Sequence, residues 1–402
     1  MGLLKRFIAG VLLAGLTALV PAGAMAQTVV GVTATEIKIG NTNPYSGNAS
    51  AYGTIGKTIA AYFKKVNDEG GVNGRKINFI SYDDGYSPPK TVEMVRKLVE
   101  QDQVALLFQT LGTPPNSAIH KYVNQQKVPH LFVATGATKW NDPKHFPWTM
   151  GWQPNYQTEA RIYAAHILKN KPNAKIAVLY QNDDYGKDYL QGFHDGLGAK
   201  AKTMIVKEAS YEVTDPTVDS QMAQLQASGA DTFFNITTPK FAAQAIRKAY
   251  DSGWKPLHYL NNVSASIGSV LTPAGLDKSV GLITTQYIKD PDDPDWKNDK
   301  AVLDWVAFMK KYYPDGNLHD SSNMYGYTVA QTMVQVIKQC GSDLSRANVM
   351  KQAANLKNFV IPTLLPGVKI NTSPTDFAPI ESVQLAKFNG KTWERFGEVM
   401  GK

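Results

Sequence analysis

The chain has 402 residues, of which 43% are hydrophobic and 19% are charged, and its formal net charge is +8. This much apolar material can fill two packed cores, which excludes the disordered and fibrous classes of protein. The lone cysteine, Cys340, excludes an intramolecular disulfide and also excludes cysteine-rich zinc or redox sites.

The first 26 residues have the pattern of a secretory signal peptide. Two basic residues at positions 5 and 6 precede the apolar run 7–20, and Ala24-Met25-Ala26 supplies a small-residue cleavage motif. The apolar run is shorter than the roughly 17–25 residues that a membrane-spanning helix needs. We therefore expect cleavage after Ala26 and a periplasmic location. Because Gln27 rather than cysteine follows the cleavage site, a lipid anchor is not expected.

Strand and helix patterns alternate from the start of the mature chain. Apolar segments predict strands at 36–42, 76–82, 104–108 and 129–134. Apolar residues at helical spacing predict helices around 59–66, 92–99 and 116–126. This βαβ series indicates a mainly parallel sheet that is covered by helices on both faces.

A segment rich in proline and tryptophan, 139–156, interrupts this series, and a second series follows it. The predicted helices cover 160–168, the residues after Tyr185, 220–227 and 241–250. The predicted strands are 175–180, 204–209 and 232–236. We therefore expect two lobes of similar architecture.

The last third of the chain predicts a strand near residue 282, an acidic loop at 290–295, helices around 302–309 and 329–337, and a hairpin at Asn389-Gly390. The acidic loop could attract calcium, but it lacks the twelve-residue spacing of a calcium-binding hand, so we interpret it as a solvated loop. Periodicity alone does not assign these elements to either lobe.

The sequence has no motif for catalysis or for metal binding. The seven histidines lack metal-ligand spacing, and no Gly-x-Ser-x-Gly nucleophile motif occurs. Residues 53–58 end like a phosphate loop, but Ala51 stands where a glycine is needed, so we interpret the segment as a helix start. The positive charge is spread along the chain without a nucleic-acid recognition motif. We expect a binding protein rather than an enzyme, with no metal, cofactor or nucleic acid, and with its ligand at strand-to-helix loops.

Several loop motifs then give a specific resemblance. Residues 67–77, NDEGGVNGRKI, and the following Tyr82-Asp83-Asp84 resemble the solute-binding proteins of ATP-driven (ABC-type) importers of the branched-chain amino acid, or leucine-binding, type. Further matching segments follow in the same order at 44–47, 128–129, 184–187 and 326–330. The resemblance implies a type I periplasmic binding protein fold: two lobes, each a mainly parallel sheet flanked by helices, joined by a three-segment hinge that closes over a small ligand.

The resemblance also implies a domain organisation and partners. We expect an N-terminal lobe of 27–148 and about 282–360, and a C-terminal lobe of 149–281 and about 361–402. The expected partners of this monomer are a small-molecule ligand and an inner-membrane permease with its ATPase subunits. A ligand sensor that docks on a membrane receptor is an alternative that the sequence does not separate from transport.

The family pattern places ligand-binding residues on loops of both lobes. In the N-terminal lobe, the hydroxyl groups of Thr113 and Thr135 and the N–H groups of Gly112 and Gly136 are expected to hold a carboxylate, with helix capping as the alternative role of the threonines. Tyr185 matches the ligand-facing tyrosine of the family, whereas for Tyr52 and Trp152 core packing is an equally good explanation. The candidate ligand-binding residues are Thr110, Gly112, Thr113, Ala134, Thr135, Gly136, Tyr185, Thr237, Thr238, Asn262, Tyr52 and Trp152.

One departure from the family pattern bears on the ligand. Amino-acid binders of this family pair the ligand ammonium with an acidic side chain on a later loop of the second lobe. In this chain the matching region, residues 257–276, contains neither Asp nor Glu. A buried ammonium without a counter-charge costs on the order of several kcal/mol. We therefore expect a small organic acid, with an aromatic acid included, ahead of a branched-chain or other amino acid. For an amino acid, Asp183, Asp184 or Asp320 would have to replace the missing acidic group.

Overall fold

The computed structural model describes residues 29–401, so the predicted signal peptide and its cleavage site lie outside the described part of the chain. The first sheet contains four parallel strands: β1 (Glu36–Asn43), β2 (Lys76–Asp83), β3 (Leu106–Phe108) and β4 (His130–Leu131). Their order in the sheet is β2-β1-β3-β4. The predicted strand 129–134 is shortened because Phe132 adopts a φ of +55°, which interrupts the extended backbone.

Helices join the strands of the first sheet: α1 (Gly53–Asp68), α2 (Pro88–Arg96) and α3 (Thr113–Gln125). The start of α1 at Gly53 agrees with the interpretation of 53–58 as a helix start. A π-helical segment, Lys97–Gln101, continues α2. Apolar residues of these helices pack on the sheet at helical spacing, which is why the 3.6-residue period locates them.

The second sheet contains seven strands: β5 (Ile176–Gln181), β6 (Ile205–Tyr211), β7 (Thr232–Ile236), β8 (Leu257–Leu260), β9 (Ile283–Gln286), β10 (Ser382–Phe388) and β11 (Trp393–Gly401). Their order is β11-β10-β9-β8-β7-β5-β6. Strands β5 to β9 are parallel, while β10 and β11 form the predicted antiparallel hairpin at one edge.

Six helices flank this second sheet along the chain: α4 (Tyr156–Asn170), α5 (Asp184–Leu197), α6 (Ala201–Met204), α7 (Asp219–Ala227), α8 (Pro239–Asp251) and α9 (Thr272–Ala274). The carboxylate of Asp183 fixes the start of α5 by accepting hydrogen bonds from the N–H groups of Tyr185 and Gly186. These strands and helices make the chain a mixed α/β protein with two sheets, as the sequence predicts.

Three later helices return to the first sheet: α10 (Lys300–Tyr312), α11 (Ser321–Cys340) and α12 (Arg346–Ala353). Trp305 and Met324 share a buried core with Phe63 of α1. Helix α11 lies close against α1 because Gly326 has no side chain, and a Cβ there would lie 3.0 Å from the carbonyl oxygen of Ile55. The first core is therefore built from both ends of the chain.

The chain crosses between the two cores at three places. Met150 and Trp152 are still part of the first core, whereas α4 packs in the second. Strand β9 pairs within the second sheet, although the predicted boundaries place 282–360 in the first lobe. Residues between Leu356 and Ile380 pack in the first core, although 361–402 are predicted for the second lobe. We propose crossovers close to residues 153–155, 287–290 and 380–382.

Candidate functional site

A cavity of about 110 Å³ lies between the two cores. Its walls come from the loops after β1, β2, β3 and β4, from the loops after β5, β7 and β8, from the crossover 286–290, and from the start of α11. For scale, an engineered protein cavity of about 150 Å³ binds benzene. The size of the cavity therefore suits a small solute.

Tyrosine rings form much of the wall of this cavity. The six lining tyrosines are Tyr52, Tyr86, Tyr156, Tyr185, Tyr287 and Tyr325. Several hydroxyl groups are held by the protein itself, since Tyr185 donates to Asn261 Oδ1 at 3.1 Å and Tyr325 donates to Gln153 Oε1 at 3.1 Å. Burial raises the pKa of Tyr185 well above its ordinary value, so the group stays neutral. The cavity thus presents uncharged aromatic surface.

The predicted threonine pair lies at the first-lobe wall, where Thr113 lines the cavity and Thr135 stands behind it. Thr113 Oγ1 and Thr135 Oγ1 are 2.6 Å apart, and Thr135 Oγ1 also accepts from Ala137 N and from Trp140 Nε1. Gly112, at a φ of +99°, precedes α3, and a Cβ there would lie 2.4 Å from the ring of Tyr86. Only glycine fits this position without displacing the tyrosine.

Helix α3 offers few N–H donors at its start. The two residues after Thr113 are Pro114 and Pro115, which have no N–H group. The next N–H, of Asn116, is bonded to the Gly112 carbonyl oxygen. A helix start normally offers several unpaired N–H groups to an anion. At α3 an anion would instead rely on the Thr113 N–H and on the neighbouring hydroxyl groups.

The second-lobe wall is braced by a buried glutamate that the sequence analysis did not identify. Glu159 is 3% exposed and accepts hydrogen bonds from Tyr163 and Tyr189, each at 2.7 Å. Its Oε1 also accepts from the N–H of Asn262, at 2.8 Å, which fixes a loop that lines the cavity. Burial raises the pKa of Glu159 above its ordinary value despite these three donors. No motif marks Glu159, because two of its three partners, Tyr189 and Asn262, are distant in sequence.

The structure brings seven of the twelve candidate residues to the cavity wall: Tyr52, Gly112, Thr113, Ala134, Tyr185, Thr238 and Asn262. The other five lie behind the wall: Thr110, Thr135, Gly136, Trp152 and Thr237. Their polar groups have partners within the protein. Trp152 Nε1 donates to Thr332 Oγ1 at 3.0 Å, and Thr237 Oγ1 donates to Asn235 Oδ1 at 2.6 Å.

The interpretation of 290–295 as a solvated loop is wrong for two of its aspartates. Asp290 and Asp293 are each 5% exposed. Asp293 is covered by Arg395, whose Nε lies 3.1 Å from Asp293 Oδ2, and this partner is contributed by the distant β11. Asp290 lines the cavity, and burial raises its pKa to about 7.

Asp290 and Lys289 are the charged side chains among the described residues that line the cavity. Lys289 Nζ lies 2.7 Å from Asp299 Oδ2, so the lysine charge is neutralised outside the ligand space. Asp290 Oδ1 accepts a hydrogen bond from the N–H of Asp292 at 2.9 Å, and Asp290 is in none of the ion pairs found among residues 29–401. Asp290 is therefore the wall group that could attract a cation.

The three aspartates considered as replacements for the missing acidic residue lie outside the cavity wall. Asp183 caps α5. Asp184 lies 2.6 Å from Lys139 Nζ and accepts a hydrogen bond from Ser117 at 3.0 Å. Asp320 caps α11 and accepts from Ser266 at 2.8 Å. Each carboxylate already has its own donors.

Hydrogen bonds join the two lobes across the cavity mouth. Tyr52 donates to the carbonyl oxygen of Val263 at 2.9 Å, and Asn48 Nδ2 donates to the carbonyl oxygen of Val213 at 2.8 Å. Ser117 of α3 reaches Asp184 of α5. The lobes are therefore in contact around a closed ligand space.

We expect Tyr52→Phe to weaken ligand binding about threefold to tenfold, because the change removes one cross-lobe hydrogen bond worth about 1 kcal/mol and keeps the ring. Calorimetric titration with a bound solute measures the effect. Tyr122→Phe serves as the control, since its hydroxyl donates to Glu100 on the surface of one lobe. Equal affinity of Tyr52→Phe and the unmodified protein would contradict the expectation.

Among residues 29–401, no group of three or more His, Cys, Asp or Glu side chains is arranged to hold a metal ion. No helix in the same range combines the length and the apolar character needed to cross a membrane.

Comparison with known proteins gives consistent matches along the chain. A family model described as "Periplasmic binding protein" matches residues 36–392. A "Leu/Ile/Val-binding protein homolog 1" of Brucella abortus is 26% identical over 337 residues, covering 81% of this chain and 85% of that protein. An "Amino acid binding protein" of Pseudomonas aeruginosa is 23% identical over 344 residues, covering 82% and 84%.

Solved structures share the architecture at low sequence identity. A branched-chain amino acid ABC transporter protein of Thermus thermophilus with bound valine superposes with a TM-score of 0.82 at 15% identity, covering 92% of this chain and 98% of that one. A fatty acid ABC transporter substrate-binding protein of Thermomonospora curvata gives 0.79 at 21% identity, covering 94% and 95%. At this identity the likeness establishes the fold.

Proposed function

The chain belongs to the periplasmic binding protein family, and we propose that it captures a small carboxylate, aromatic or aliphatic, by closing its lobes around the solute and delivers it to an inner-membrane permease. The predicted family and the predicted type I fold are confirmed. Members of this family are solute-binding proteins of transporters rather than enzymes. The finer proposal concerns the solute and its delivery.

The observation that carries the proposal is the cavity between the two lobes with six tyrosines in its wall. Loops from both lobes supply the lining residues, so closing the lobes adds contacts to a solute that is first held by one lobe. The aromatic rings favour a solute with a flat apolar part. The lack of an acid among residues 257–276 removes the counter-charge that an amino acid meets at that loop in the family pattern.

A carboxylate is proposed to bind at the first-lobe wall. Thr113 lines the cavity, and its hydroxyl can turn from Thr135 towards a ligand oxygen. The N–H of Thr113 stands at the start of α3, where the helix dipole favours negative charge. Hydrogen bonds to an ionised carboxylate are stronger than those between neutral groups.

An amino acid is the second candidate, and Asp290 is the observation that favours it. Its carboxyl group is buried in the cavity wall and belongs to no ion pair among the described residues. A ligand ammonium beside it would gain a counter-charge and would stabilise the ionised form of Asp290. The names of the Brucella and Pseudomonas relatives point to the same class of solute.

We expect a thermal-shift screen of the protein, residues 27–402, to identify the solute class. The panel contains aromatic acids, aliphatic acids, the matching amides and amino acids. A ligand present at 100 times its dissociation constant adds about 2.7 kcal/mol to the free energy of unfolding. Stabilisation by acids that lack an amine supports the proposal. Stabilisation by amino acids alone supports the second candidate instead. A protein stabilised by neither class contradicts both.

A threonine variant locates the carboxylate. Thr113→Val should lower the affinity for the stabilising acid about tenfold, because it removes a hydroxyl donor to an ionised group. Thr328→Val is the control, since that buried hydroxyl pairs with Thr363 outside the cavity wall. Equal losses in the two variants would contradict the proposed place of the carboxylate.

A further inference from the structure

A second cavity, of about 370 Å³, opens at the surface where the two lobes meet. We name it the rim groove. Its first-lobe wall includes Gly47, Asn48 and Ala51, and its second-lobe wall includes Lys240, Arg247 and Ser269. Because the two walls belong to different lobes, the rim groove exists only while the lobes are closed, and opening of the lobes separates its sides.

The rim groove is positively charged. Lys240 and Arg247 both lie on α8, and no Asp or Glu is among the described residues that line the groove. Lys240 Nζ donates to Asn48 Oδ1 at 3.0 Å, and Arg247 donates to the carbonyl oxygen of Pro273. Neither cation is in an ion pair found among residues 29–401. Both can accept a carboxylate partner.

The spacing of the two cations defines what fits between them. They are seven residues apart on one helix, which places them on the same face about 10 Å apart along the axis. An extended peptide rises about 3.3 Å per residue and places every second side chain on the same side, so acidic residues four positions apart face one side and span about 13 Å, a distance that long lysine and arginine side chains can bridge.

The opposite wall is built from small side chains, which leaves room for a peptide backbone. Gly47 has no side chain, and Ala51 and Ser269 have short ones. The side-chain amide of Gln244, also in the lining, can pair with a backbone amide group. A free inorganic anion would contact the two cations but would leave most of the groove unfilled.

We propose that the rim groove docks an acidic peptide segment of a partner protein, with two carboxylates four residues apart, and that it does so in the closed state only. The groove then lets the partner distinguish closed lobes from open ones through contacts that opening removes. Identifying this partner as the membrane component of an importer rests on the proposed function.

The test uses the protein, residues 27–402, and a fluorescein-labelled peptide, Gly-Glu-Ser-Gly-Ser-Glu-Gly, with its Glu-to-Gln counterpart as a reference. Fluorescence anisotropy should show binding of the Glu peptide that weakens with added salt, since both partners are charged. The double variant Lys240→Gln/Arg247→Gln should weaken binding about tenfold, as expected for the loss of two ion pairs. Lys248→Gln is the matched control, because Lys248 lies on the same helix, outside the groove, and pairs with Asp219.

Three results would overturn the proposal: equal binding of the Glu and Gln peptides, equal losses in the double variant and in Lys248→Gln, or displacement of the Glu peptide by equimolar inorganic phosphate. Small-angle scattering of the double variant separates a loss of docking from a loss of lobe closure, since Lys240 also contacts Asn48. The peptide is titrated with and without a solute that stabilises the protein, because only closed lobes form the groove. A protein that binds a solute and ignores the peptide therefore refutes the groove alone, and the reverse result refutes only the proposed solute.

Discussion

Replacing Trp152 by alanine should lower the free energy of unfolding by about 4 kcal/mol, the loss typical of truncating a large buried aromatic side chain. The indole is fully buried, and its ring meets the rings of Tyr287 and Tyr325 edge-on, at centroid distances of 6.1 and 5.2 Å. It stands beside the crossover into the second lobe. Urea unfolding followed by far-UV circular dichroism measures the change.

The variant Trp152→Phe separates the contribution of the aromatic ring to stability from that of its hydrogen bond. Phenylalanine keeps an aromatic ring and loses the Nε1–H donor to Thr332, so we expect a loss of about 1–2 kcal/mol. Both supporting tyrosines line the ligand cavity, so Trp152→Ala should also weaken solute binding. A loss below about 1.5 kcal/mol in Trp152→Ala would show that the surrounding core collapses into the space.

Replacing Asp290 by asparagine should raise the free energy of unfolding at pH 8. The change at pH 8 should exceed the change that the same substitution causes at pH 4 by up to about 4 kcal/mol. Burial raises the pKa of this carboxyl group from 3.8 to about 7, and a difference of that size corresponds to about 4 kcal/mol. A carboxyl group with a raised pKa in the folded protein favours folding while it is protonated. Its contribution is fully present below the unfolded pKa and is lost as the pH rises through 7.

Chemical unfolding of both proteins between pH 4 and pH 8 checks this expectation. Asp277→Asn is the control for the removal of one negative charge, because Asp277 is exposed and lies outside the cavity wall. Parallel pH profiles for Asp290→Asn and the unmodified protein would contradict the burial effect. A saturating ligand that carries an amine should flatten the profile of the unmodified protein, whereas a simple carboxylate should not.

The elements that the sequence locates best are those with strong local periodicity. Strand β7 is predicted and observed at the same residues because Thr232–Ile236 is rich in aromatic and β-branched residues and lies between the turn-forming Gly229 and Pro239. Strand β8 was not predicted, since Leu257–Leu260 offers four residues without a clear period. The boundaries in the last third depend on which core each segment packs in, and local periodicity carries no information on that choice.

In the candidate site, too, local motifs locate some residues, and others depend on distant contacts. Loop motifs led to Gly112, Thr113 and Tyr185, which line the cavity. The acidic character of 290–295 suggested solvent exposure, but the covering partner of Asp293 is Arg395, 102 residues later in the chain. No pattern within a short window of sequence predicts a burial that depends on such a distant contact.

The placement of the last strands has a consequence for how the protein is made. Helices α10 to α12 complete the first core, and β10 and β11 complete the edge of the second sheet beside β9. Neither core can therefore be finished until nearly the whole chain has left the ribosome, because each one waits for residues beyond 300. Contacts of such large sequence separation are slow to form. We therefore expect both halves to complete their folding only when these last residues are available.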